Sequence, residues 1–224
     1  MDRQGNRLQN VGVSSETLHI PRGMATVMRR LPISFYKNST INVATDLLGK
    51  ILIRSKSGHR WAGKIVEVEA YIGEDDPACH AFHGLTSRTS VMYGPPGHAY
   101  VYFTYGMYFM LNVVTEREGF PAAVLIRALE PVSGFEHLEP HPTNGPGKLC
   151  RSLEIDKSLN GTSLRGKELW IARADGKQEK LDIRWSPRIG VSAGADKLWR
   201  AYIYGNPHLS RKGNSQDPRE PVPR

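Results

Sequence analysis

Cysteine is nearly absent from this 224-residue chain: Cys79 and Cys150 are the only two, far apart and in no metal-ligand spacing. That argues against a disulfide-stapled secreted domain and fits a reduced intracellular protein. Long apolar runs are missing as well. None approaches the roughly 20 residues of a membrane span, and the N-terminus lacks the apolar stretch of a secretory signal. No dinucleotide fingerprint occurs, Gly145-Pro-Gly-Lys148 is not a Walker motif, and no Ser or Cys sits in a nucleophile elbow. His80 and His83 follow Asp75 and Asp76 in a spacing that fits no named zinc or two-metal motif. No metal and no cofactor are therefore expected. A dense basic block is also lacking. The formal charge is +8, which invites an acidic partner such as nucleic acid. Residues 1–30 carry +3 of it and residues 209–224 carry +2, leaving +3 for the body. Mildly basic tails on an ordinary domain fit that distribution equally well.

What is present is a 39% hydrophobic composition, enough for a real core in one large domain. Residues 1–30 are polar without sustained periodicity and read as mostly disordered. Residues 31–208 read as the folded domain, and 209–224, with three prolines and little that is apolar, as a disordered tail. Within the domain, Asn38-Ser39-Thr40 offers an N-cap for a short amphipathic helix over 41–48, with Gly49 at its C-terminal side. Strands are expected at 51–54, 61–71, 99–104, 108–114, 122–129, 168–171, 188–191 and 198–204. Gly73 to Gly97 is loop-rich, residues 131–146 leave room for a short helix, and Gly145 opens another. Tyr105-Gly106 reads as a hairpin tip, because Gly tolerates the φ values of a tight turn. Hairpin-linked strands with few helices predict an α+β fold: one domain on a curved, mostly antiparallel sheet with surrounding helices and a protruding hairpin.

Two stretches carry the chemistry. Lys64-Ile-Val-Glu-Val-Glu-Ala-Tyr71 places two acids inside an apolar, β-branched run. Strand alternation turns Val66 and Val68 one way and Glu67, Glu69 and Tyr71 the other. Carboxylates on such a face are costly to bury without a purpose. Glu69 in a partly apolar pocket suits a general base on water, an effect of about 10²–10⁴ in rate; a solvated or salt-bridged acid is the plainer alternative. Glu67 and Glu69 also lie about 6.5–7 Å apart along a strand, near an inverting glycosidase pair, a spacing shared by any i, i+2 pair. Arg127 interrupts Ala122–Leu129 and needs either a partner, such as Glu69, or a route to solvent. The second stretch, Ala99-Tyr-Val-Tyr-Phe-Thr-Tyr-Gly-Met-Tyr-Phe109, holds four of the nine tyrosines. Such rings pack cores, but they also stack on unstacked bases at about 1–3 kcal/mol each. A bulky Tyr105 at a hairpin tip fits a wedge pushed into a base stack.

With these residues assembled, the chain resembles the alkyladenine (3-methyladenine) DNA glycosylase family. The resemblance rests on Ile65-Val-Glu-Val-Glu-Ala-Tyr-Ile-Gly73, Ala78-Cys-His80, Tyr100–Phe109, Asn112, Val124-Leu-Ile-Arg-Ala-Leu-Glu-Pro131, Gly145–Cys150 and Arg188-Ile-Gly-Val191, in family order over residues 33–205. It implies a base-excision repair enzyme that flips a damaged purine out of duplex DNA, hydrolyses its N-glycosidic bond and leaves an abasic site without a lyase step. By motif, Glu69 is the base that activates water, and Arg127 and the Ile189 carbonyl help hold that water. Tyr71, His80 and Tyr102 form the base pocket, lined further by Met110 and Leu125. Asn112 sits where the amino group of an undamaged guanine would clash, and Tyr105 is the intercalating wedge. The implied partner is double-stranded DNA containing damaged purines, bound by a monomer with no membrane. The implied location is the cytoplasm, on a bacterial nucleoid, or the nucleus of a eukaryote. A non-catalytic damaged-DNA-binding module remains the alternative.

Overall fold

The computed structural model describes residues 15–19, 25–138, 140, 142–175 and 180–221. In chain order, β1 (Ser15–His19) and β2 (Ala25–Arg30) lead into helices α1 (Ile33–Tyr36) and α2 (Thr40–Leu47), then β3 (Ile51–Lys56) and β4 (His59–Ile72). After a loop with two short 3₁₀ turns come β5 (Ala99–Thr104), β6 (Tyr108–Val114), β7 (Ala122–Ser133), α3 (Pro146–Ser152), β8 (Leu169–Ala174), β9 (Ile183–Ser186) and β10 (Arg200–Ile203). Among the described residues, ten strands join one sheet, ordered β1-β2-β8-β3-β4-β7-β6-β5, with β10 branching from β4 and β9 from β10. Every pairing is antiparallel. The α+β expectation therefore holds.

The 14-residue β4 is the axis. Its β-branched run suits a pleated surface buried on both sides. β7 pairs along one flank. On the other, β3 takes residues 59–64 and β10 takes residues 67–69. The flank changes partner just before Glu67, and the β7 register shifts on either side of that residue. Such bulges re-aim side chains beside functional sites. Val66 and Val68 enter the main core with Val113, Val124 and Ile126, under α2 residues Val43, Ala44 and Leu47. α2 is capped twice. Ser39 Oγ accepts the Asn42 N–H at 3.4 Å, and Glu116 accepts the Thr40 N–H at 3.0 Å from far along the chain.

Where it is described, the N-terminal segment is held in place: β1 and β2 extend the sheet edge, and Met28 is buried. Residues 1–14 and 20–24 lie outside the described residues. Residues 209–221 are not a loose tail either. Leu209 packs on the core, Ser210 bonds Glu67, Asp217 accepts from the Tyr202 hydroxyl at 2.6 Å, and the Pro218 carbonyl accepts the Trp185 N–H at 2.9 Å. Low apolar content concealed this, because the segment is held by polar groups the sheet supplies. Finally, 188–191 is not a strand. The strand precedes it at Ile183–Ser186. Pro187 then removes a ladder donor, and Gly190 at φ +75° turns the chain. Among the described residues, 131–146 hold no helix before α3, and no helix is long and apolar enough to cross a membrane.

Candidate active site

A cavity of about 370 Å³ opens on one face of the sheet, within the size range of small-molecule sites. Period-two alternation builds its walls. Tyr100, Tyr102 and Thr104 come from β5, Met110 and Asn112 from β6, Ala123, Leu125 and Arg127 from β7, and Tyr71 from β4. His80 and Met92 close it from the 3₁₀ turns, and Ile189, Gly190 and Val191 from the turn after β9. The fold thus brings Tyr71, His80, Tyr102, Tyr105, Met110, Asn112, Leu125, Arg127 and Ile189 around one space.

Glu69 lies beneath them, fully buried. Its Oε1 accepts the Ile189 N–H at 2.7 Å, and its Oε2 accepts from the Tyr71 hydroxyl at 2.8 Å and Arg127 Nη1 at 3.1 Å. All three donors belong to cavity-lining residues. Burying a carboxylate costs several kcal/mol unless it is paired and hydrogen-bonded, and here it is both. Burial, followed by the adjacent Glu69 charge, pushes the Tyr71 phenol well above its usual range, so Tyr71 keeps its proton and donates it. Burial would lower the Arg127 pKa, but Glu69 and Glu67 reverse this and raise it. Ile189 thus meets Glu69 through its amide, a contact that the family resemblance, which assigns a role to its carbonyl, does not anticipate.

Glu67 has a different task. Its Oε1 accepts from Arg200 Nε at 2.7 Å, Ser210 Oγ at 2.7 Å and Arg127 Nε at 3.2 Å, and its Oε2 accepts the Ser210 N–H at 2.6 Å. Four donors saturate this carboxylate. Neither acid lines the cavity itself, but the donors on Glu69 all belong to its wall, whereas Arg200 and Ser210 on Glu67 lie outside it.

The His80 and Tyr102 rings meet edge to face at 4.4 Å, and His80 Nδ1 lies 2.9 Å from the Tyr100 hydroxyl. Burial, then the Arg88 charge, lowers the His80 pKa to about 4. The imidazole is neutral at physiological pH. Because its folded value lies below the unfolded one, its contribution to stability is fully present above pH 6.5 and is lost as pH falls toward 4. An NMR titration of the His80 ring is expected to show a midpoint near 4; a midpoint near 6.5 would mean that the ring is solvated and not part of the wall. Asn112 is buried and donates Nδ2–H to the Tyr100 carbonyl at 3.0 Å.

Tyr105 stands at the rim with 77% of its surface exposed. It and Gly106 are the central residues of the β5–β6 turn, at φ +52° and +69°. Positive φ at both central positions is the type I′ requirement. For a bulky side chain it is a strained choice, the kind that persists where function demands it. The hairpin base is anchored: a Cβ on Gly147 of α3 would come within 2.7 Å of the Tyr108 ring.

Sequence reading missed Tyr100, Thr104 and Ala123, although each lies two residues from a residue it did identify on the same strand. It also missed Asp76 and Arg188, which no local pattern distinguishes.

A tyrosine-walled cavity thus lies over a buried, donor-bound carboxylate, with an exposed ring raised beside its mouth. The family model described as methylpurine-DNA glycosylase matches residues 34–207, and the chain belongs to that family. Relatives provisionally named 3-methyladenine DNA glycosylase include one from Legionella pneumophila (strain Lens), 48% identical over 82% of this chain and 100% of its own length. Another, from Methanocella arvoryzae, is 49% identical over 81% of this chain and 96% of its own. A third, from Chlorobaculum parvum, is 43% identical over 82% and 91%.

Proposed function

We propose that this protein is a monofunctional glycosylase that, as a monomer, extrudes alkylated or deaminated purines from duplex DNA and hydrolyses their glycosidic bonds. The observation that carries the reading is Glu69. It is a fully buried carboxylate whose three donors, on Tyr71, Arg127 and Ile189, all line the cavity that would receive the base. A water in the cavity beside Glu69 is the nucleophile, and Glu69 takes its proton. The same negative charge favours the oxocarbenium-like sugar that forms as the bond breaks. A purine alkylated at N3 or N7 is already cationic and leaves as a neutral base without an acid catalyst, whereas a neutral purine such as hypoxanthine must also take up a proton from solvent as its bond breaks. The positive charge of the alkylated purine also favours stacking on electron-rich rings such as Tyr71 and Tyr102. Extrusion costs a few kcal/mol, least for damaged or mispaired bases, and Tyr105 fills the space vacated in the stack. No lysine is matched to a nucleophile role, so the reaction stops at the abasic site.

The test is base release from a duplex carrying one hypoxanthine or ethenoadenine, with alkylated DNA in parallel. Free purine and an abasic strand that breaks only on later alkaline treatment are expected. Tight binding to every duplex with no release would instead make the protein a damage-binding module. Strand breakage without alkali would overturn the monofunctional assignment.

Tyr105 gives a separable prediction. Tyr105→Gly relieves the positive φ and removes only exposed surface, so thermal stability should not fall. Single-turnover release from duplex DNA should drop on the order of 10–100-fold, as the support for an extruded base is lost. Undiminished release would remove Tyr105 from the flipping step.

A further inference from the structure

Arg188 and Asp76 take no part in the chemistry above, yet both are buried. Arg188 Nη1 and Nη2 donate to the two Asp76 oxygens at 2.6 and 2.7 Å. This is a bidentate pairing, which gives geometric specificity as well as energy. Nη1 also donates to the Ala70 carbonyl at 3.0 Å, and Nη2 to the Gly194 carbonyl at 3.3 Å. The guanidinium lies 4.7 Å from the centre of the Tyr71 ring and 5.2 Å from that of Trp199. Asp76 is fixed in turn: it accepts the N–H groups of Ile72 and Ala78, each at 3.2 Å.

Two of these attachments reach the donors on Glu69. Arg188 is bonded in sequence to Ile189, whose N–H meets Oε1, and it packs on the ring of Tyr71, whose hydroxyl meets Oε2. It also holds the backbone at Ala70, between Glu69 and Tyr71. The turn after β9 has no ladder of its own at residues 188–191, so its ties to β4 are the Ile189 N–H on Glu69 and the Arg188 guanidinium on the Ala70 carbonyl and the Tyr71 ring.

We infer that the Arg188–Asp76 pair is the positioning device of the catalytic carboxylate: it registers the Ile189 amide and the Tyr71 hydroxyl on Glu69 without touching substrate. This rests on Glu69 acting as the base. Misplacement of a catalytic group by about 1 Å costs on the order of 10² in rate. Lysine keeps the charge but not the planar fork, which makes Arg188→Lys the direct test. Gly194→Ala is the second, since its Cβ would lie 3.0 Å from Arg188 Nη2 and 3.4 Å from Asp76 Oδ1, at a φ of +63° that also strains the turn beside the pair. It crowds the pair while leaving both charges in place.

Single-turnover base release and equilibrium binding to hypoxanthine-containing duplex are measured for both variants, along with the backbone amide spectrum of the protein without DNA. For Arg188→Lys, a rate loss of about 100-fold is expected, with binding within threefold. Gly194→Ala is expected to lie between it and wild type. In the spectra, the Ile189 amide is expected to move upfield and lose exchange protection in step with the rate. A rate within threefold of wild type in both variants, or an equal loss of rate and binding, would overturn the assignment, as would an unmoved Ile189 amide. If Arg188→Lys does not fold, Gly194→Ala decides by the same criteria. If wild type itself releases no base, the glycosylase reading fails. The amide response then still reports on whether the pair positions Ile189 on Glu69.

Discussion

Glu69→Gln is expected to abolish base release while leaving the fold and DNA binding intact. The substitution keeps size and shape, and the glutamine oxygen can still accept the Ile189 N–H that now meets Oε1; its NH2 then replaces Oε2, where the Tyr71 hydroxyl can turn to accept from it and Arg127 Nη1 loses one acceptor. Arg127 keeps Glu67 as a partner, 3.2 Å from its Nε, so no buried cation is stranded. What is lost is the capacity to take a proton from water and the negative charge facing the developing cation on the sugar. General-base loss alone amounts to about 10²–10⁴ in rate, and the electrostatic loss adds to it. Single-turnover excision of hypoxanthine compared with wild type, with binding measured on the same duplex, separates chemistry from recognition. Excision within tenfold of wild type would move the base elsewhere. Glu67→Gln is the control. Glu67 is saturated by Arg127, Arg200 and Ser210, and the last two lie outside the cavity wall, so its substitution is expected to lower stability far more than the rate constant for chemistry.

Arg127→Met is expected to produce the largest loss of stability of any single substitution at the site. Arg127 is 8% exposed and stands between two fully buried carboxylates. It lies 3.1 Å from Glu69 and 3.2 Å from Glu67. Removing the shared cation leaves Glu69 out of water with no positive partner, while Glu67 keeps Arg200 at 2.7 Å. Breaking a buried pair in this way costs about 3–5 kcal/mol, and for a chain of this size each kcal/mol lowers Tm by roughly 2–4 °C. A fall of about 6–20 °C in thermal unfolding follows. Adding Glu69→Gln to Arg127→Met should recover part of the loss, because the stranded charge is then gone, whereas Glu67 still balances Arg200. Thermal stability within 2 °C of wild type, or no recovery in the double variant, would show that the cation does not hold the pair together. Glu67→Gln alone should cost less than Arg127→Met, since Arg200 and Arg127 keep other acceptors: the Arg211 carbonyl, Ser186 Oγ and Glu69.

Much of the site was legible because it lies on strands. Alternation alone groups Glu67 with Glu69 and Tyr71, Tyr102 with Thr104, and Leu125 with Arg127. The cavity is walled by those faces. Tyr105 beside Gly106 announced a turn in which only Gly is comfortable, and the structure places both at positive φ. The turn after β9 was less legible. Arg188-Ile-Gly-Val191 looks like an apolar strand by composition. Pro187 and the positive φ of Gly190 outweigh that pattern and leave the segment to be shaped by contacts elsewhere in the fold. Nor does local composition show why residues 209–221 are held. Ser210 is an ordinary polar residue until Glu67, 143 positions earlier, is set beside it.

By itself, the sequence determined the sheet-rich α+β class, the acid-and-tyrosine chemistry and the family, since these follow from side-chain periodicity and ordered motifs. Only the tertiary structure decided which acid takes its donors from the cavity wall and which takes them from Arg200 and the C-terminal segment. Both sit on one strand face with the same side chain. The difference is made by partners brought from β7, β10, the turn after β9 and the C-terminal segment, separated from the pair by 58 to 143 positions. The Arg188–Asp76 pairing, spanning 112 positions, belongs to the same category. A buried charge is stabilised by whatever donors the fold carries to it, and long-range chain packing, rather than local pattern, delivers those donors.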